Sequence, residues 1–279
     1  MTPADIPRLC QLFVPADPTP FERRISQWRD RAPAPLRRLL PDQATKERES
    51  ALARRAVVSI QEWGPHLATA VRADCAGSSS GNLSDSYGIL GSAAYRIAKA
   101  PEKYSDPDSI AALTGGVTNS SPWIRLYSVQ ALGSIGPLAS NALPVLRGRR
   151  KDSGRTVAQH VAHAIFRITG NRREALDILF CSLGATDTEV LKAAVANLAR
   201  ICPGVVEKLP STADLLADNA HPGQPVRDLP GGGAPGGALV RSCLEALASD
   251  ADPEIAAAAD RAVRRLLCVD TPDNHAASR

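Results

Sequence analysis

Two histidines lie close together in the sequence and could share a metal ion. His160 and His163 are three residues apart, so they occupy neighbouring positions on one helix. A zinc site needs three or four ligands, and no carboxylate or thiolate accompanies this pair at a metal-binding spacing. The apolar pattern of the segment places His160 inward and His163 outward. We therefore expect no metal site.

A glycine-rich stretch raises the question of phosphate binding. Residues 221–237 contain six Gly and four Pro, and they include most of the segment GGGAPGGA. A phosphate loop ends in Gly-Lys-Ser/Thr after a strand, and neither feature is present here. This composition is typical of a flexible loop, which could also order on a partner as a clamp.

No arrangement of a nucleophile and a base can be recognised. The sequence contains no GxSxG motif, no Cys beside a basic residue and no recognisable carboxylate pair. The six cysteines are far apart and form no CxxC pair, which predicts neither a zinc site nor a disulfide framework. We expect a non-enzymatic protein that needs no cofactor and works in a reducing compartment.

Composition narrows the class of protein further. The 279 residues are 44% apolar but only 4% aromatic, and the net charge is +4. A core of small aliphatic residues favours stacked helices over a β-sandwich or barrel. The sequence has no apolar run of 18 residues and no signal peptide pattern, so we expect a cytoplasmic protein without membrane partners. The excess of Arg over Lys, 27 to 6, is typical of a high-GC bacterial genome.

A repeated helical pattern organises most of the chain. The clearest unit is IRLYSVQALGSIGP at 124–137, and similar segments lie at 157–170 and 190–203. Each has apolar residues at helical spacing, and second helices are predicted between them at 109–117, 139–150, 173–184 and 238–249. Steps of 37, 38, 33, 33 and 65 residues separate the isoleucine or leucine near each helix end. These aligned residues are Ile60, Ile97, Ile135, Ile168, Ile201 and Leu266.

Three regions are predicted along the chain. Residues 1–45 contain eight prolines and form an N-terminal arm with one short helix at 21–31, either packed on the first repeat or loose. Residues 46–270 form the helical repeat region, which contains the 221–237 loop. Residues 271–279 form a tail. Because a helix pair cannot bury its own apolar stripe, the pairs must stack into an α-solenoid.

The unit at 124–137 resembles the short bacterial HEAT repeat, also called the PBS-lyase-type repeat. Its second helix reads roughly V-R-x-A-A-x-x-A-L-G-x-I-G-x, and the resemblance covers about residues 47–268. It implies an all-α, right-handed α-solenoid of about six HEAT-like helix pairs, and it implies interaction scaffolding more than any activity. The directly matching residues are Ile124, Arg125, Ala131, Leu132, Gly133, Ile135 and Gly136.

The repeat alignment places basic residues at outward positions of the second helices. Four of the six residues preceding the aligned Ile or Leu are arginines, and stacking would line them up on the face that is concave in HEAT proteins. The alternative is that an arginine at a helix C-terminus only stabilises the helix dipole. The turn at 147–151 adds four further cations. The candidate partner-binding residues are Arg55, Arg96, Arg125, Gln130, His163, Arg167, Lys192, Arg200, Arg149 and Arg150.

These features predict a scaffold, adaptor or inhibitor that binds an acidic protein surface. The first 203 residues carry a net charge of +8 and the remainder −4, so a basic body would attract such a partner electrostatically. The alternative function is nucleic-acid binding, including DNA repair by a HEAT-like glycosylase. The modest net charge and the scarcity of aromatic residues for base stacking speak against it.

Overall fold

A computed structural model describes residues 2–12, 43–60, 62–77, 88–154, 156–183, 185, 187–211, 213–215 and 238–268. Within these ranges the protein is all-helical, with thirteen α-helices and no strand. The α-helices are α1 Ile6–Cys10, α2 Gln43–Ser59, α3 Leu67–Gly77, α4 Ile89–Lys99, α5 Pro107–Gly116, α6 Pro122–Ile135, α7 Leu143–Gly148, α8 Val157–Thr169, α9 Arg172–Ser182, α10 Thr188–Ile201, α11 Pro203–Val206, α12 Ala238–Leu247 and α13 Pro253–Cys268. The predicted helix at 21–31, the 221–237 loop and the 271–279 tail lie outside the described residues.

The predicted helices form close to their expected bounds. Helices α8 and α10 begin and end within two residues of the predicted segments. The segment predicted as one helix at 139–150 is divided into a 3-10 helix, Gly136–Ala142, and the short α7. Pro144 lies in the first turn of α7 and has no N–H to continue a preceding helix.

Side chains predicted to cap helices do so. Asp187 accepts hydrogen bonds from the backbone N–H groups of Glu189 and Val190 at the start of α10. Asp252 accepts one from the N–H of Glu254 before α13. At the other end of α8, Gly170 adopts a φ of 71°, a left-handed conformation that glycine tolerates best.

The helices fall into two compact units, Met1–Ala131 (unit 1) and Leu132–Arg279 (unit 2). In unit 1, α1 packs against α2 and α3, and α3 packs against α4 and α5. The start of the proline-rich arm is therefore docked, with Ile6 and Cys10 buried. Trp63 is also fully buried, and its indole N–H donates to the carbonyl of Val57 over 3.0 Å.

In unit 2, α8 packs against α7, α9 and α10, and α9 packs against α10 and α13. One core runs through these helices and α12, and it includes Leu176, Phe180, Leu198, Leu244 and Ala259. Burying such apolar side chains stabilises the unit by roughly 1.5–3 kcal/mol for each large residue.

The aligned apolar column is buried in both units. Ile60, Ile97, Ile135, Ile168 and Ile201 are each at most 6% exposed. The side chain of Leu266 lies outside the described residues. The prediction that these positions are buried is confirmed for five of the six, and Ile60 lies directly after the end of α2.

The last helix has a partner that the alignment did not predict. Helix α13 packs along α9 and α12. Arg172 of α9 donates to Glu254 over 2.9 Å, and Arg261 of α13 donates to Asp177 of α9 over 2.8 Å. These ion pairs join α9 to α13 across a separation of more than 80 residues in sequence.

Candidate partner-binding site

A group of basic side chains lies on α8 and α10 of unit 2. His160, His163 and Arg167 are spaced three and four residues apart, which places them on one face of α8. Both histidines are half-buried, so the expectation that His160 points inward and His163 outward is wrong. Arg200 belongs to the last turn of α10, which packs against α8. Arg167 and Arg200 are exposed, whereas His163 is half-buried. We call His163, Arg167 and Arg200 the basic cluster.

The electrostatics of the basic cluster are entirely cationic. Burial lowers the pKa of His163 to about 4, assisted by the positive charges of Arg200 and Arg167 and then by His160. Burial likewise lowers the pKa of His160, whose ring hydrogen-bonds the carbonyl of Thr156. No carboxylate is among the groups that shift the pKa of His163. The lowered pKa of His163 therefore indicates that the surrounding side chains carry positive charge.

A buried asparagine positions one of the two arginines. Asn197 donates from its side chain to the carbonyl of Ala193, and its side-chain oxygen accepts from Arg200 over 3.0 Å. Because Asn197 carries no charge, no described residue neutralises the charge of Arg200. Arg167 makes no hydrogen bond or ion pair with any other described residue. Asn197 was not among the predicted site residues, although it is a polar residue in a buried stripe, three positions before an arginine.

Three of the four cations of the 147–151 turn, by contrast, are paired within the protein. Arg147 and Arg150 contact Glu174 over 3.1 and 3.4 Å, and Arg149 contacts Asp152 over 3.4 Å. Two of these, Arg149 and Arg150, were predicted to bind a partner. Their charges are largely compensated by carboxylates, so this turn is a weaker site for an acidic partner than the basic cluster.

Two further candidates in the pattern have internal partners. Arg125 is only 6% exposed, and its guanidinium donates to the carbonyls of Asn119 and Ser120, which places it in the turn before α6. Lys192 is exposed on α10 and pairs with Glu189 over 3.4 Å. Gln130 is half-buried on α6.

The remaining two candidates belong to unit 1. Arg55 is exposed on α2. The guanidinium of Arg96 lies 4.9 Å from the ring centroid of Trp63 and donates to the carbonyl of Val58 over 2.9 Å. Arg96 therefore packs onto the core of unit 1 instead of extending fully into solvent.

The distribution of carboxylates explains why some cations are paired and others are not. Helices α4, α6 and α8 contain no Asp or Glu, although they carry arginine, lysine or histidine. The intervening helices α5 and α9 contain Asp108, Glu174 and Asp177, and each of these pairs with an arginine. Helices α4, α6 and α8 therefore contribute positive charge and no carboxylate, whereas on α10 Glu189 pairs with Lys192.

Other kinds of site receive little support in the part of the chain that the structure describes. No group of three His, Cys, Asp or Glu side chains there could hold a metal ion. Burial raises the pKa of Cys10 and of Cys75 to about 11, so both thiols stay protonated at neutral pH. None of the described helices is long and apolar enough to span a bilayer.

Comparisons with known proteins give no match. Neither a family model, nor a curated protein, nor a solved structure matches this chain. What can be said of function therefore rests on the described side chains and their charges.

Proposed function

We propose that this protein is a non-enzymatic scaffold or adaptor that binds an acidic protein surface through the basic cluster. The observation that carries this proposal is the cationic environment of His163, in which two exposed arginines have no carboxylate partner among the described residues. Like charges held together cost free energy, and a partner carboxylate that approaches them removes that cost. Cytoplasmic, reducing surroundings suit its free cysteines.

The architecture that we propose for this surface is a HEAT-like α-solenoid. Among the described helices, α2 packs with α4, α3 with α5, and α8 with α10, each pair separated by one helix in the described order. This is the contact pattern that stacked helix pairs require. The buried isoleucine column supports the same arrangement, because it gives each second helix one core-facing stripe.

The surroundings of the basic cluster favour a protein partner over a nucleic acid at this site. Protein surfaces that bind single-stranded nucleic acids combine cationic side chains with exposed aromatic rings that stack on the bases. The aromatic residue nearest in sequence to Arg167 is Phe166, which packs against the apolar core of unit 2. A partner that contributes carboxylates alone is sufficient to satisfy this cluster.

The proposal can be tested with a defined acidic probe. We expect a fluorescein-labelled oligoglutamate peptide to bind the full-length protein at low ionic strength, as measured by anisotropy, and to dissociate as salt is added. The double variant R167E/R200E should bind at least about fivefold more weakly, since it removes two ion pairs and introduces repulsion.

A matched control separates a local effect from one of net charge. Lys151 and Arg173 are exposed in unit 2 and form no ion pair with any described residue. The variant K151E/R173E carries the same net charge as R167E/R200E. Equal weakening by both variants would reject the basic cluster as a specific site, whereas a selective loss in R167E/R200E would support it.

A further inference from the structure

Exposed aromatic side chains gather on one side of unit 1. The chain has only eleven Phe, Trp and Tyr residues, yet three of them, Tyr95, Trp123 and Tyr127, lie on the neighbouring helices α4 and α6. Tyr95 is 63% exposed and Trp123 is 42% exposed. Large aromatic rings are normally buried, so exposed ones on adjacent helices indicate a binding surface. We call these three residues the aromatic face.

The three aromatic residues follow one another from α6 onto α4 in the order Trp123, Tyr127 and Tyr95, which we call the row. Trp123 stacks on Tyr127 with ring centroids 6.4 Å apart and planes inclined by 25°. Tyr127 lies over Gly91 of α4, where a Cβ atom would be 3.5 Å from the ring. Tyr95 follows Gly91 by one helical turn, about 6 Å along the axis of α4. The ring of Tyr127 therefore contacts α4 at Gly91, one helical turn before Tyr95.

The charged side chains that α4 and α6 themselves contribute to the aromatic face are positive. Asp74 of α3 accepts a hydrogen bond from the N–H of Leu90 at the start of α4, but it is only 6% exposed. Helices α4 and α6 have no carboxylate in their sequences. The ammonium group of Lys99 lies 4.5 Å from the ring centroid of Tyr95. The two exposed ends of the row thus offer flat rings, and one of them also offers a cation. The complementary ligand has flat aromatic groups linked by negative charges.

We propose that the aromatic face binds a single-stranded nucleic acid, with its bases stacked on Trp123, Tyr127 and Tyr95 and a phosphate near Lys99. Bases of a single strand can leave their own stack to pack on side chains, whereas those of a duplex are already stacked and paired. An acidic peptide would use Lys99 but leave the rings without partners. This inference concerns unit 1 and is independent of the basic cluster of unit 2.

The test measures binding of a labelled oligothymidylate of about 15 nucleotides to the full-length protein by anisotropy at low salt. We expect the double variant W123A/Y95A to bind about tenfold more weakly or worse, since each stacked base is lost with its ring. The matched control is L52A/L138A, which removes two other exposed apolar side chains and should bind as the unaltered protein does.

Two probes separate stacking from charge. An abasic oligonucleotide of the same length keeps the phosphates but not the bases, and we expect it to bind about as weakly as oligothymidylate binds W123A/Y95A. Oligoglutamate tests the acidic-protein alternative. Failure of oligothymidylate to bind, equal binding of the abasic strand, or oligoglutamate binding that W123A/Y95A abolishes would each overturn the proposal.

Tryptophan fluorescence gives a second measurement of binding that does not require the alanine variant. Trp63 is fully buried, whereas Trp123 is exposed and available to stack. Oligothymidylate should quench the emission of the unaltered protein more than that of W123F. Equal quenching in the two proteins would contradict base stacking on Trp123, even if W123A/Y95A proved unstable.

Discussion

Burial, and after it the guanidinium of Arg200 on α10, holds the imidazole of His163 on α8 neutral, with a pKa of about 4. The two side chains come from helices whose sequences align in the repeat pattern and which pack against each other. Their relationship makes His163 a probe of the charge at the proposed binding surface, because any group that neutralises Arg200 must also alter the pKa of His163.

The low pKa of His163 predicts how stability depends on pH. In the unfolded chain a histidine has a pKa near 6.5, so between about pH 6.5 and pH 4 the unfolded state binds the proton more readily than the folded state. Stability associated with this residue is therefore present above pH 6.5 and is lost as the pH falls toward 4. The free energy of unfolding, measured by urea denaturation at about pH 7 and about pH 5, should fall less in H163Q than in the unaltered protein.

A second variant checks the cause of that pH dependence. R200Q removes a positive charge beside His163 and should raise the pKa of the imidazole, so its loss of stability on acidification should also be smaller. The explanation would be wrong if H163Q, R200Q and the unaltered protein lost the same free energy between the two pH values.

Arg172 is predicted to hold α13 against α9. Its guanidinium contacts Asp252 and Glu254 over 2.9 Å each, and both acids belong to the start of α13. Because the three side chains are partly exposed, R172A should lower the free energy of unfolding by about 1 kcal/mol. Hydrogen exchange should show faster exchange of the α13 amides in this variant than in the unaltered protein.

The control for Arg172 is Arg264, which pairs with Asp260 on the surface of α13 alone. R264Q should change stability by less than about 0.5 kcal/mol and leave exchange in α13 nearly unchanged. Comparable effects of R172A and R264Q would show that the α9–α13 ion pairs do not dock the helix.

Gly133 is predicted to be required for the close approach of α6 and α8. A Cβ atom at this position would lie 3.0 Å from the Cα of Ala164 and 3.1 Å from its Cβ. Alanine favours the helix by about 1 kcal/mol, but overpacking against backbone costs about 1–3 kcal/mol. We therefore expect G133A to lower the melting temperature.

Gly148 is the control position for Gly133, because a Cβ atom at Gly148 would have no neighbouring atom within 4 Å. G148A should leave the melting temperature unchanged or raise it slightly. If G133A were as stable as G148A, the space between α6 and α8 would be larger than the structure indicates.

The sequence was sufficient to predict most of the described helices after residue 45 and their core-facing residues, but not α1, because its prolines argued against a helix there. Local rules govern these features: apolar spacing defines the buried stripe, and Asp187 and Asp252 can cap a helix within their own segments. The bounds of α8 differ from the predicted segment only at its last residue, Gly170, because the glycine leaves the helical conformation.

The charge pairs could not be predicted because they depend on distant residues. Glu174 neutralises the turn at 147–151 from a position more than 20 residues away, and Asp177 binds Arg261 across 84 residues. The alignment of the repeats also does not show whether an arginine extends into solvent or packs on the protein. Arg96 is of the second kind, because its guanidinium lies over the ring of Trp63. Nor does composition reveal that the few aromatic residues include three on one face.

The most direct test of the basic cluster is an NMR titration of the His163 imidazole with and without the oligoglutamate peptide. A peptide carboxylate that binds Arg167 and Arg200 would offset the positive field, so the pKa of His163 should rise from about 4 toward 6.5 in the complex. By linkage, the peptide should then bind more tightly as the pH falls through that interval. An unchanged pKa of His163 in protein saturated with the peptide would contradict the proposed binding site.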